Sequence, residues 1–86
     1  MMPMGSTLAD QKSGFRGQVT KVSGESVWVN RLEEIGLIPG QRIVLLSKLS
    51  LGEPYIVEYR NISVALRREE AACLTVQEQI VEKEKN

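Results

Sequence analysis

Apolar residues recur along the chain with two different periods. In "GFRGQVTKV" (14–22), Phe15 and Val19 share one parity with Gly17 between them, and Lys21 continues it, which predicts a strand. Gly17 inside that pattern predicts a bulge or a tight bend. "SGES" (23–26) reads as a turn. The period then changes. Trp28, Val29, Leu32 and Ile35 form one apolar face at helical spacing, while Arg31, Glu33 and Glu34 fall on the other side. Ser26 and Asn30 both suit the N-cap. Gly36 follows the last periodic residue, where a left-handed glycine closes a helix, and Leu37 packs back on it. Pro39-Gly40 then suits a tight turn, proline at its second position and glycine at its third.

"QRIVLLSKL" (41–49) hardly alternates, and predicts a strand partly covered on both faces. "PYIVEYR" (54–60) alternates cleanly, with Tyr55, Val57 and Tyr59 on one face and Ile56 and Glu58 on the other. Asn61 marks a tight hairpin to a fourth strand, "ISVAL" (62–66). "RREEAACL" allows one or two helical turns, and "LTV" (74–76) is a short closing strand. Short strands with tight turns predict a mainly β domain, a small barrel or meander, with two short helices capping its open ends. The first helix is too short to be stable alone. It is therefore expected to plug one end, with Leu32 and Ile35 buried. The domain body spans 14–76, with a flexible leader at 1–13 and a charged tail at 77–86.

With 86 residues the chain forms one domain with a thin core. Eleven basic and eleven acidic residues cancel. That opposes a strong electrostatic grip on nucleic acid, although Arg16, Arg31, Arg42 and Arg60 leave room for a local patch. Tyr55 and Tyr59 beside Arg60 come nearest to a stacking platform, but they read first as strand residues packing the interior. Trp28 reads as a lid over the barrel end.

The chain has no histidine and one cysteine, Cys73. Neither a Ser–His nor a Cys–His nucleophile pair can be built, so no enzyme is expected. Glu33-Glu34 and Glu69-Glu70 are adjacent residues on helical turns, which do not face each other. One thiol without histidine does not complete a transition-metal site, and Cys73 among Ala71, Ala72 and Leu74 reads as a small core residue. "GLIPG" lacks the Lys-Ser ending of a phosphate loop, and no cofactor is expected. No stretch reaches the ~20 apolar residues of a membrane span, and no secretory signal opens the chain. A cytoplasmic protein is the expectation. For docking to another protein, the segment "KLSLGEPY" (48–55) stands out. It carries Leu49 and Leu51 beside a glycine and a proline, and ends at Tyr55. These three are the candidate partner-binding residues.

Taken together, "RLEEIGLIPGQRIVLL" and "SLGEPYIVEYRNISVALRREEAACLTV" resemble the FeoA family of bacterial ferrous-iron uptake. The resemblance rests on Arg31-Leu32, Gly36-Leu37, Pro39-Gly40, Gly52-Glu53-Pro54 and Ala65-Leu66-Arg67, in that order, with Glu70 and Ala71 in the acidic helix. The segment from Gly14 to Val22 is similar to the family's first strand. The resemblance implies an SH3-like β-barrel with helical caps. It also implies a role by protein–protein contact beside FeoB, a membrane GTPase transporter, in iron homeostasis. The alternatives are a small barrel that binds nucleic acid, or a regulatory domain of the type that ends larger iron-dependent repressors.

Overall fold

The computed structural model describes residues 6–49 and 53–79. Five strands and two helices follow in the order β1 (Arg16–Val22), α1 (Ser26–Glu34), β2 (Arg42–Lys48), β3 (Tyr55–Tyr59), β4 (Ile62–Leu66), α2 (Arg68–Cys73) and β5 (Leu74–Glu78). The strands make one antiparallel sheet in the order β4-β3-β2-β1-β5. Among the described residues β4 and β5 do not pair with each other. The expected barrel is therefore an open sheet whose two end strands are joined through α2.

One face of the sheet carries the core. Val19, Ile43, Leu45, Tyr55, Val57, Tyr59, Leu66, Leu74 and Val76 are all buried there, as alternation along a half-buried strand requires. Helix α1 adds Leu32, fully buried, while Ile35 is only half-buried. The helix does cover the core, but through Leu32 and Leu37 more than through Ile35. Its N-cap is Glu25 rather than Ser26 or Asn30, and no side chain closes it.

The far end of α1 follows its local chemistry closely. Leu37 N–H donates to the Leu32 carbonyl (2.9 Å) and Gly36 N–H to the Glu33 carbonyl (3.1 Å). This is the paired closure of a Schellman motif, and Gly36 sits at φ +92°. Next, Gln41 N–H closes on the Ile38 carbonyl (3.0 Å) with Gly40 at φ +97°, a type II turn led by Pro39. A Cβ on Gly36 would meet nothing nearer than Arg60 Nη1 at 3.5 Å, so space is not the constraint there. The backbone conformation is. Gly36→Ala is expected to cost about 1 kcal/mol or more, read as a lower denaturation midpoint with an unchanged denaturant slope. A neutral result would contradict that account.

Three departures from the sequence reading have physical causes. The leader assigned to 1–13 is, over its described part, packed on the domain. Leu8 is fully buried in a single 3₁₀ turn at Leu8–Asp10, and Thr7 bridges Thr75. Tyr55 Oη donates to the Ala9 carbonyl (2.9 Å), and Lys48 Nζ donates to the carbonyls of Ala9 and Gln11. These bonds satisfy backbone groups that the isolated segment leaves open. Likewise the tail assigned from residue 77 begins inside β5, and Gln79 N–H still bonds the Arg16 carbonyl. In β1 the register shifts between Val19 and Lys21, so the bulge lies there and not at Gly17. This explains why Val19 is buried while Lys21 is exposed. In β2 the outward face is covered in part, at Val44, but not at Leu46. Ile43 and Leu45 point inward, Val44 is half-buried, and Leu46 is 46% exposed where a second register shift falls between Leu45 and Ser47.

Candidate docking surface

The three expected docking residues do not share a surface. Leu49, just beyond β2, is 53% exposed. Leu51 lies outside the described residues. Tyr55 is 2% exposed, with its hydroxyl on Ala9 and its ring 5.2 Å from Lys48 Nζ. It pins the N-terminal segment to the sheet and offers no surface to a partner, because β3 alternation turns it inward with Val57 and Tyr59. In the strand before Leu49, Leu46 is also an exposed apolar residue. Nothing in "RIVLLSK" separates Leu45 from Leu46. Strand alternation in the register set by pairing with β3 turns Leu45 inward with Ile43 and leaves Leu46 out.

The helical side of the molecule is held by charge. Glu70 is fully buried. Its Oε1 accepts from the Arg67 N–H (2.8 Å), one half of a capping box at the start of α2. Its Oε2 lies 3.3 Å from Arg31 Nη1 of α1, an ion pair that ties the two helices together. Cys73 is buried at the end of α2, with its Sγ donating to the Glu69 carbonyl (3.3 Å). Burial pushes its thiol pKa up, and the nearby Glu25 and Glu70 carboxylates push the same way. A thiol held protonated is a poor nucleophile and a poor metal ligand. Among the described residues no group of three His, Cys, Asp or Glu is placed to hold a metal ion. No described helix is long and apolar enough to cross a membrane.

The four arginines divide. Arg31 is paired with Glu70. Arg16, Arg42 and Arg60 line one open groove of about 360 Å³ on the sheet. Tyr59 also lines the groove, is 3% exposed, and donates its hydroxyl to the Ile35 carbonyl (2.5 Å), joining β3 to the end of α1. Burial raises its phenol pKa, with Arg60 and Arg31 opposing. Neither tyrosine is thus a stacking platform.

A small antiparallel sheet with one covered face and two short helices is an architecture of the SH3-like kind. The chain matches the FeoA domain over residues 6–78 and belongs to the FeoA family. The matched span begins at Ser6, in keeping with the packed N-terminal segment. It is similar to the Fe(2+) transport protein A/Fe(2+) transporter FeoB fusion protein of Porphyromonas gingivalis, 29% identical over 70 residues. That stretch covers 81% of this chain and 8% of the relative, so the chain spans under a tenth of that protein's length. Among solved structures it is similar to FeoA protein from Chlorobium tepidum, with 31% identity, TM-score 0.79, and coverage of 91% of this chain and 74% of that one. It is also similar to Stenotrophomonas maltophilia FeoA complexed with zinc, described as a procaryotic SH3 domain protein. There the identity is 26% and the TM-score 0.72, covering 84% of this chain and 89% of that one. The family is associated with ferrous-iron transport.

Proposed function

We propose that this chain is a cytoplasmic accessory protein of ferrous-iron uptake that acts by direct contact with the FeoB-type membrane GTPase transporter. The observation that carries the reading is the fusion relative, in which a domain similar to this chain and a FeoB transporter share one polypeptide. Fusion holds two modules at an effective concentration in the ~mM range for a short linker. Such an arrangement makes sense where the two work side by side. The absence of histidine and the buried, protonated Cys73 favour recognition over chemistry as the means.

Leu49 is the proposed anchor. It is an exposed apolar side chain at the end of a strand whose backbone is fixed by the sheet, and interface energy concentrates in a few such residues. Leu49→Glu is expected to weaken binding to the transporter's purified cytoplasmic region by about tenfold or more, with the melting temperature unchanged. Binding and melting are measured on the same preparation. Intact binding with intact stability would place the contact elsewhere, and no binding by the unaltered chain would overturn the reading itself.

A further inference from the structure

We infer that the groove of Arg16, Arg42 and Arg60 is a binding site for an acidic, extended peptide segment of another protein. The site is assembled by sheet register. Arg16 of β1 pairs with Val44 of β2, and Val44 pairs with Glu58 of β3. Cross-strand partners project to the same face, so Arg16, Val44 and Glu58 form one row on the face opposite the core. Arg42 is two residues before Val44 and returns to that face. Arg60 follows Glu58 at the hairpin turn, where it adopts φ +52° and Asn61 φ +64°. A left-handed arginine is an uncommon choice for such a turn. Here it makes a third arginine part of the groove's lining, with its Nη1 directed toward Gly36 at the end of α1.

Charge balance points to the ligand. The chain as a whole is neutral, yet three arginines and one acidic residue, Glu58, line this groove. Among the described residues none of the three arginines forms an ion pair, whereas Arg31 elsewhere is neutralised by buried Glu70. Three like charges around one opening repel one another, and an incoming anion relieves that repulsion. Arginine forks match carboxylates in a bidentate geometry.

The other lining groups select a peptide. Val44 supplies an apolar floor, and the amides of Asn61 and Gln79 can donate to or accept from a peptide backbone. Glu58 can accept a backbone N–H, but it repels a continuous phosphate chain. Tyr59 lines the groove but is only 3% exposed, so it offers no open ring face for a nucleic-acid base to stack on.

The test is a titration of the isotope-labelled full chain, followed by amide resonances. The probe is a short peptide alternating Glu with Ala, and its comparison is the same peptide with Gln for Glu. The Glu peptide is expected to shift the resonances of Arg16, Arg42, Arg60 and Asn61 saturably, and the Gln peptide is not. Arg42→Glu should raise the dissociation constant by about tenfold or more, while Glu58→Gln should lower it. The second variant keeps the test decisive if the first fails to fold. Equal response to the Gln peptide, shifts confined to other faces, or weaker binding by Glu58→Gln would overturn the assignment. Shifts of the same resonances at lower concentration of an oligothymidylate would overturn it in favour of nucleic acid. No transporter is present in this experiment, so its outcome stands apart from the reading proposed above.

Discussion

Leu32→Ala is expected to destabilise the domain by roughly 2–5 kcal/mol, the range for truncating a buried leucine. Leu32 is fully buried, and its carbonyl accepts the Leu37 N–H that closes the helix. Its side chain and that of Leu37 enter the same core from the two sides of the Gly36 turn. Removing it leaves a void beneath a helix of nine residues, which has no stability of its own to fall back on. Total stability of natural domains runs only to ~5–15 kcal/mol, and a domain of this size buries less than most. A large part of the population should therefore unfold, and the urea midpoint should drop sharply. A midpoint matching the unaltered protein would show that α1 does not plug the core.

Gly17→Ala should act through a different element and nearly as strongly. Gly17 is buried where β1 pairs with β5, opposite Glu78. A Cβ at this position would run into the backbone carbonyl oxygen of Gln77 and into the ring of Phe15. The ring can turn aside, but a carbonyl fixed in a ladder cannot move without parting the strands. The cost belongs near the top of the ~1–3 kcal/mol typical of overpacking. Because β5 also pairs with the N-terminal segment through Thr75, the loss should appear as faster hydrogen exchange in β5 and in residues 6–10. Exchange unchanged in both segments would exclude this mechanism.

The two glycines show how far a sequence can be read. Gly36 stands at the end of a helical pattern, with Leu37 and Pro39-Gly40 behind it. Everything that requires its positive φ lies within five residues, and its role was legible. Gly17 carries a comparable demand, but its cause is a carbonyl on a strand near the other end of the chain. The pattern could only suggest an irregularity, and the structure places the bulge at Val19–Lys21 instead. Leu8 was misjudged for the same kind of reason. One leucine among polar residues has no period, and only Tyr55, Lys48 and Thr75 reveal that it is held. Of the docking residues, Tyr55 was drawn to the surface by its neighbours in sequence, although its own alternation with Val57 and Tyr59 turned it inward.

By itself the sequence determined the local elements: the clean alternation of β3, the hairpin at Asn61, the Gly36 closure, the Pro39-Gly40 turn and the inward face of α1. Each of these depends on residue type and on spacing over a few positions, where φ preferences and side-chain periods act directly. The tertiary structure decided that the sheet stays open, which of Leu45 and Leu46 faces the core, and why residue 17 is glycine. It also gathered Arg16, Arg42 and Arg60, scattered through a neutral chain, on one groove. These follow from strand register, and a shift of one residue moves every side chain to the opposite face. Register is set jointly by partners far apart in the chain, so no local window contains it.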